Sequence, residues 1–236
     1  MPVSRLHQDL LAAIINNSGT PTQHTYLNSY LGNTNPRYAI SIPKLRNVGK
    51  AWLVKQPISE KEFIGLLTAL VRANSSTEKM MAGLLLDYGK KLRGKFNPTC
   101  YNQWLNHAEG WAEVDALCYG HFKTEEILAR WNDWKKILVA LNRSKNINKR
   151  RASLVLLCQP LAQGREEKLM PFAFSLVRSL QHEREILITK AVSWILRSMV
   201  KYYRKEVSEF VKNNKTTLPA LAVRETLTKI KTGRKN

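Results

Sequence analysis

Trp111 and Asp115 lie four residues apart in the stretch GWAEVD, so on a helix they share one face about one turn apart. A carboxylate can stabilise positive charge that develops in a reaction, and the face of a tryptophan attracts cations. Asp is a poor interior helix residue, and carboxylates are rarely buried unless they are paired. Spacing alone nevertheless favours a solvated acid beside a core tryptophan, so the pair does not establish a site by itself.

Two later stretches carry residues of the same kinds. NKRRAS supplies Arg150 and Arg151, and ITKAVSWILRSM supplies Lys190, Trp194 and Arg197. Lys190 and Trp194 are again four residues apart and share a helical face. Two tryptophans, one carboxylate and several cations suit a groove that binds a polyanion, although a tryptophan at helical spacing is more often a core residue.

The chain is strongly basic. Its 236 residues contain 38 Lys and Arg against 18 Asp and Glu, which gives a formal net charge of +20 and an isoelectric point near 10.1. Such a charge attracts polyanions, and for a domain of this size we expect nucleic acid before an anionic membrane or an acidic protein. The alternative is a basic surface without a specific partner.

Missing motifs argue against nucleotide-dependent and metal-dependent hydrolytic chemistry. The sequence has no Gly-rich phosphate loop of the form GxGxxG or GxxxxGK[ST], no GxSxG and no HExxH. The histidines and cysteines are scattered without metal-ligand spacing, so we predict no metal site, no disulfide scaffold and no nucleotide cofactor. The sequence shows no signal peptide and no run of about 20 apolar residues, so we expect a cytoplasmic protein without a membrane span.

Helical patterns recur along the chain, and alternating β patterns are scarce. The stretch 59–73 opens with a capping box of Ser59 and Glu62, and the stretch 124–141 opens with Thr124 as its predicted N-cap. Further helices are predicted between short polar breaks, at 1–17, 75–92, 97–108, 109–122, 146–161, 165–180, 183–203, 205–214 and 218–230. We predict one domain over residues 1–236 with a basic tail at about 231–236.

Short connections predict antiparallel neighbouring helices, and hence a row of helix pairs. Trp111, Arg150 and Trp194 fall in the second helices of successive pairs, 39 and 44 residues apart. This spacing is close to the roughly 40 to 47 residues of HEAT and armadillo repeats. We therefore predict an all-α fold, an α-solenoid of antiparallel helix pairs (HEAT-like repeats) with a concave DNA-binding face.

The order of three motifs resembles a known family. WAEVD, then RRAS at the start of an apolar helix, then KAVSWILR resemble the motifs of the AlkD-like DNA alkylation repair enzymes, which are DNA glycosylases built from HEAT-like repeats. The segment YLGNTNPRYAISIPKLR, with Lys44 and Arg46 at a proline-marked helix start, resembles the family's segment that ends in P-x-L-R. The resemblance runs from about residue 26 to residue 231.

This resemblance implies a monofunctional DNA glycosylase of base-excision repair. Members of the family excise cationic N3- and N7-alkylated purines, such as 3-methyladenine and 7-methylguanine, from duplex DNA. They do so without flipping the base into a pocket, unlike most glycosylases. The resemblance places the catalytic residues at Asp115, Trp111 and Trp194. We expect double-stranded DNA as the partner, no cofactor and a monomeric protein.

The predicted DNA-binding residues come from the resemblance and from the charge pattern. The resemblance supplies one arginine of the pair Arg150 and Arg151, without deciding which of them faces the DNA, and it extends to Lys44 and Arg46. The charge pattern adds the two cations on the motif that carries the second tryptophan, Lys190 and Arg197.

Two departures from the family's pattern surround the carboxylate: a glycine precedes Trp111, and the small Ala116 follows Asp115. They leave the substrate range open, since some relatives are known as binders of bulky lesions or of DNA structures. The net charge also fits a non-catalytic HEAT-repeat protein that recognises damaged, bent or branched DNA through its phosphates. A repeat scaffold that binds peptides is the third alternative.

Overall fold

The structure is a computed structural model that describes residues 3–20, 32, 34–94 and 96–234. Within these ranges the chain is helical, and the only pairing of β type is an isolated bridge between Gly19 and Ala39. The predicted all-α class is therefore confirmed. The described residues form thirteen helices: α1 Val3–Asn16, α2 Ile42–Val54, α3 Glu60–Arg72, α4 Ser76–Tyr88, α5 Cys100–Trp104, α6 Gly110–Cys118, α7 Thr124–Ala129, α8 Trp131–Asn142, α9 Ile147–Gln163, α10 Leu169–Leu180, α11 Ile186–Met199, α12 Arg204–Asn213 and α13 Ala220–Thr232.

The chain forms two compact units, Met1–Leu117 and Cys118–Asn236. The first unit holds α1 to α5 and all of α6 except its last residue, and the second unit holds α7 to α13. The predicted basic tail begins within α13, which extends to Thr232, and residues 235 and 236 lie outside the described residues.

The first unit buries the apolar faces of its helices against one another. α1 packs on α2 and α3, and α4 packs on α2 and α3 as well. Leu6, Leu10 and Phe63 are completely buried in this core. Trp52 on α2 donates a hydrogen bond from Nε1 to Asp9 on α1 at 2.7 Å, so its polar edge is satisfied as its rings are buried.

The second unit contains repeated helix pairs, α8 with α9, α10 with α11 and α12 with α13. The second helices of these pairs pack in succession, α9 on α11 and α11 on α13. The first helices also meet: Trp131 lies edge-to-face on Phe172 with 5.1 Å between ring centroids, and Phe174 stacks on Phe210 at 4.2 Å. The helix-pair organisation predicted from the sequence is thus present in this unit.

Two predicted helix starts are confirmed. Ser59 caps α3 and forms the capping box with Glu62, each side chain accepting the other residue's backbone N–H. The proline-marked start is α2, where Ser41 Oγ accepts from the N–H of Lys44 and Pro43 lies in the first turn.

The predicted helix 124–141 is wrong in two details. It is interrupted at Arg130, where the backbone leaves the helical conformation (φ −129°, ψ 42°), so that α7 ends and α8 begins. Lys123 rather than Thr124 occupies the N-cap of α7. Thr124 is buried, and its hydroxyl donates instead to the carbonyl of Pro160 at 3.1 Å.

Several other predicted boundaries differ from the structure, for example those of the stretches 109–122 and 146–161. The stretch 109–122 is helical only over Gly110–Cys118, and the chain turns at Gly120, whose φ of +86° favours glycine. α9 continues past Pro160 to Gln163, although the proline removes one hydrogen bond of the helix.

Candidate nucleic-acid interface

The tryptophans fall into two groups by burial. Three are core residues that are at most 7% exposed: Trp52, Trp104 and Trp134. Three are half-buried: Trp111, Trp131 and Trp194. Trp111 and Trp194, the two tryptophans predicted to be catalytic, are therefore both partly exposed.

α6 places Trp111 and Asp115 one turn apart, and both side chains are half-buried. The helix begins at Gly110, whose φ of +67° lies in the left-handed region that favours glycine. The glycine that departs from the family's sequence pattern thus has a structural role, because it lets the chain turn directly into the helix that carries Trp111.

Gly83 allows α4 to touch α6 at the backbone. A Cβ atom at Gly83 would lie 1.9 Å from the carbonyl oxygen of Ala116 and 2.6 Å from its carbonyl carbon. Both are backbone atoms, so no rotation of a side chain would relieve the clash. Ala116 directly follows Asp115, and the close approach therefore fixes the turn of α6 that carries the carboxylate.

Glu113 anchors the start of α6 and is completely buried. Its carboxylate accepts hydrogen bonds from Asn35 Nδ2 at 2.9 Å, from the backbone N–H of Glu109 at 2.8 Å and from the Ser76 hydroxyl. Lys79 Nζ lies 3.5 Å away as its counter-charge. A buried carboxylate is tolerated when it is paired and hydrogen-bonded in this way. Sequence reasoning missed this residue, whose signal was an acid in the first turn of a helix.

The end of α6 is held by an aromatic cluster. The rings of Phe96, Tyr101 and Trp104 lie 5.5 to 5.7 Å apart between centroids. The hydroxyl of Tyr101 donates to the carbonyl of Leu117 at 2.9 Å, which satisfies one of the open carbonyls at the end of the helix. α6 is thus fixed at its start, in its middle and at its end.

In the second unit, Arg150 joins the start of α9 to the loop before α11. Its Nε atom lies 2.7 Å from Glu183 Oε1, and Nη2 donates to Glu183 Oε2 at 3.1 Å. Nη1 donates to two carbonyls of the loop that precedes α9. The guanidinium group of Arg150 is therefore balanced by a carboxylate and held by several bonds.

Its neighbours on α9 are more deeply buried. Arg151 is 4% exposed, and its Nη1 donates to the carbonyl of Leu187 at 2.7 Å. Lys149 is also buried, and burial lowers the pKa of its amine. Cations near a helix N-terminus oppose the helix dipole. Lys149, Arg150 and Arg151 nevertheless stand at the start of α9. Because they are buried or held by hydrogen bonds, these three cations do not form a solvated face.

α11 carries Lys190 and, one turn later, Trp194. Lys190 is exposed and Trp194 is half-buried. Arg197 has a different environment: Nε donates to Ser193 Oγ at 3.0 Å, and Nη2 lies 3.4 Å from Glu225 on α13. Ser193 donates to the same carboxylate at 2.5 Å, so this network joins α11 to α13.

Comparison with known proteins decides the family. The model of a family described as DNA alkylation repair enzymes matches residues 10–230. The chain belongs to this family. A solved structure described as a predicted DNA alkylation repair enzyme from Enterococcus faecalis has a similar fold, with a TM-score of 0.71 and 16% identity over 90% of this chain and 96% of that chain. No curated protein matches this chain significantly.

Family membership confirms the resemblance seen in the sequence, and the all-helical structure is consistent with the α-solenoid fold of the DNA alkylation repair enzymes. It supports a role in DNA alkylation repair and implies DNA as a partner. The catalytic and DNA-binding residues predicted from the sequence remain predictions for this member of the family.

Two of those predicted contacts, Lys44 and Arg46, are exposed near the start of α2. Lys44 lines a cavity of about 510 Å³ together with Asn47 and Lys55. Burial raises the pKa of the Tyr88 phenol, and the nearby charge of Arg46 opposes this shift. Both cations are thus placed where a polyanion can reach them.

Tyr119 is a residue of the second unit that sequence reasoning missed. Its ring lies 4.7 Å from that of Trp194 between centroids, with a tilt of 40°. It is 40% exposed, although burial raises the pKa of its hydroxyl. The signal available in the sequence was an aromatic residue directly after the helix of Trp111. Tyr119 packs against one side of Trp194, so the second tryptophan that was predicted to be catalytic belongs to a pair of rings.

Two further kinds of feature are absent from the described part of the chain. No three His, Cys, Asp or Glu side chains there lie close enough to hold a metal ion. None of the helices there is long and apolar enough to cross a membrane.

Proposed function

We propose that this protein is a monofunctional DNA glycosylase that excises cationic N3- and N7-alkylated purines, 3-methyladenine and 7-methylguanine, from duplex DNA without flipping the base. The observation that carries the proposal is the half-buried pair Trp111 and Asp115 on a helix that is fixed along its whole length, in a member of the DNA alkylation repair family. A reactive carboxylate needs such a rigid support, because catalytic groups must be held within about 0.5 Å of their productive position.

Asp115 would stabilise the charge that forms on the sugar. An alkylated purine that is already a cation is a good leaving group and needs little acid catalysis. As the bond from C1′ to the purine nitrogen breaks, its electron pair leaves with the base, and the sugar acquires oxocarbenium character. Asp115 would stabilise this charge and orient a water whose oxygen adds to C1′, while the water's proton passes to the carboxylate or to solvent.

The two half-buried tryptophans would add to this stabilisation. The face of an aromatic ring attracts a sugar with cationic character, by about 0.5 to 2 kcal/mol for each ring. Trp111 would act beside Asp115, and Trp194, with Tyr119 against it, would supply the second ring.

The cations would hold the DNA backbone. Lys190, Lys44 and Arg46 are exposed and are our proposed phosphate contacts, since phosphate contacts position the duplex without reading its sequence. Arg151 is 4% exposed and donates to the carbonyl of Leu187, so we propose that it holds α9 to α11. Arg150 and Arg197 already have Glu183 and Glu225 as ion-pair partners, so we propose that they mainly hold the helices that carry the other groups.

A non-catalytic DNA-binding protein is the second candidate, favoured by the net charge of +20, which explains binding without any chemistry. Incubation of the protein with methylated genomic DNA, followed by mass spectrometry of the released bases, separates the two. We expect free 7-methylguanine and 3-methyladenine above the spontaneous background. Salt-sensitive binding without base release would reject the glycosylase and leave the binding protein.

A further inference from the structure

A basic cavity of about 400 Å³ lies at the start of α13, apart from the residues assigned above. Three cations line it, Arg184 from the loop before α11, Lys215 from the loop before α13 and Arg224 from α13 itself. The other lining residues are Thr216 and small or apolar side chains, and no Asp or Glu is among them. Its chemistry is therefore that of an anion site.

Arg184 is fixed in this cavity by neutral groups. Its Nη1 donates to the carbonyls of Gln181 at 2.9 Å and Glu183 at 3.0 Å, and Nη2 donates to the carbonyl of Thr217 at 3.2 Å. Backbone carbonyls orient a guanidinium group without cancelling its charge. Arg184 thus presents a positive charge in a defined position, which reduces the entropy lost when an anion binds.

This arrangement differs from that of other arginines in the same unit. Arg150, Arg165 and Arg197 each form an ion pair with a glutamate. Among the described residues, no carboxylate lies within ion-pair distance of Arg184, Lys215 or Arg224. Three like charges around one cavity repel one another, so an anion between them would relieve an unfavourable arrangement.

Arg224 also continues a register found in the two preceding second helices. Arg151, Lys190 and Arg224 are each the fifth residue of their helix, α9, α11 and α13 respectively. These three helices pack in succession. A cation therefore recurs at the equivalent position of each second helix in this unit, and it is buried on α9 but exposed on α11 and α13. The two exposed cations, Lys190 and Arg224, are placed as expected of a surface that follows a repetitive polyanion.

We infer that the cavity formed by Arg184, Lys215 and Arg224 binds a backbone phosphate of duplex DNA and extends the DNA-binding surface to the last helix pair. The inference rests on the proposed function for its partner, duplex DNA, but not for any step of base release. The start of α13 favours the same ligand, since open N–H groups and the helix dipole attract anions there.

The test is the salt dependence of binding to an unmodified, fluorescently labelled duplex of about 20 base pairs. The double variant Lys215→Gln/Arg224→Gln removes two of the three charges and keeps Arg184, whose hydrogen bonds hold two loops together. Lys135→Gln/Lys136→Gln is the matched control, because these two exposed lysines of α8 carry the same total charge and do not line the cavity. Thermal unfolding midpoints of all three proteins check that the fold is intact.

The cavity variant is expected to bind the duplex more weakly and to reduce the slope of log K against log salt by about 1, since a lost phosphate contact removes about 0.9. The control is expected to keep the slope of the parent protein. Equal slopes for the cavity variant and the control would overturn the inference.

Base release by the parent protein separates this result from the fate of the proposed function. A changed slope without release of 7-methylguanine supports the cavity and rejects the glycosylase. Release with equal slopes supports the glycosylase and rejects the cavity. A parent protein that does not bind the duplex contradicts both.

Discussion

The helix that carries Trp111 and Asp115 is held in place by different means from the second helices of the other unit, which carry Lys190 and Arg224. α6 is fixed by a backbone contact at Gly83, by a buried carboxylate at Glu113 and by a left-handed start at Gly110. The second helices of the other unit are joined by arginine side chains that bridge to glutamates and to the carbonyl of Leu187 on α11.

This difference matches the work proposed for each region. A backbone contact leaves a helix little room to shift, which suits a carboxylate that must meet one carbon of a sugar. Arginine bridges at a partly exposed surface are individually weak and can rearrange. They suit a surface that follows a DNA backbone whose shape varies with sequence and damage.

Gly83→Ala should produce the largest effect on stability. The added Cβ would clash with the backbone of Ala116, so α6 must move, at a cost of about 2 to 3 kcal/mol in the free energy of unfolding. Urea denaturation measures this, and release of 7-methylguanine should fall with it. Gly164→Ala is the control, because a Cβ there meets nothing within 4 Å. Similar stabilities for the two variants would mean that the backbone contact does not fix α6.

Tyr119→Ala should slow base release by about 3- to 10-fold with little change in DNA affinity. The substitution removes the ring against Trp194, and such aromatic contacts are worth about 0.5 to 1.5 kcal/mol. Tyr119→Phe keeps the ring and should stay near the parent rate. Single-turnover rates measure both variants, and an unchanged rate for Tyr119→Ala would show that Trp194 needs no support from this side.

Acid should weaken the first unit through Glu78 on α4. Burial alone would raise the pKa of this carboxyl, but hydrogen bonds from His7 and Ser75 outweigh it and lower the pKa below its ordinary value of 4.5. The unfolded chain therefore takes up the proton first, so the contribution to stability is complete above about pH 4.5 and is lost as the pH falls through the lowered pKa.

Urea unfolding between about pH 6 and pH 3 tests this. The parent protein should lose stability more steeply below pH 4.5 than Glu78→Gln, which has no proton to bind. Glu209→Gln, an exposed acid of α12, should follow the parent curve. Parallel curves for the parent and Glu78→Gln would contradict the assignment.

Glu183→Gln should have the smallest effect. It removes the charge that balances Arg150 at a partly exposed site, and such pairs contribute about 0.5 to 1 kcal/mol. The loss should shrink at high salt, because screening weakens the pair in the parent protein. Urea denaturation at low and high salt measures it. If Glu183→Gln lowered the free energy of unfolding as much as Gly83→Ala, the two regions would not differ in how firmly their helices are held.

The sequence was sufficient for features that depend on neighbours along the chain. Local patterns predict the capping box at Ser59, the helix pairs, and the placement of Trp111 and Asp115 one turn apart on the same helix. Contacts between distant segments did not follow. Three contacts depend on how the helices cross: the approach of Gly83 to Ala116, the burial of Glu113 and the ring contact of Tyr119. The periodicity of a sequence carries no information about how helices cross.

The break in the helix at Arg130 is a second feature that local sequence patterns did not predict. Nothing in the residues 124–141 interrupts the helical pattern, so the sequence predicted one helix. In the folded chain the hydroxyl of Thr124 is drawn to the carbonyl of Pro160 on α9, and α7 and α8 are separate helices.

The roles proposed for Asp115 in base release and for Lys190 in phosphate binding are tested most directly by single-turnover release of 7-methylguanine from a defined duplex. Asp115→Asn and Lys190→Gln are each measured over a range of protein concentrations. Asp115→Asn should lower the maximal rate by about 10²- to 10³-fold and leave the half-saturating concentration near that of the parent. Lys190→Gln should raise the half-saturating concentration, reduce its salt slope by about 1 and leave the maximal rate unchanged. Full activity of Asp115→Asn, or the same parameter changed by both variants, would contradict the account.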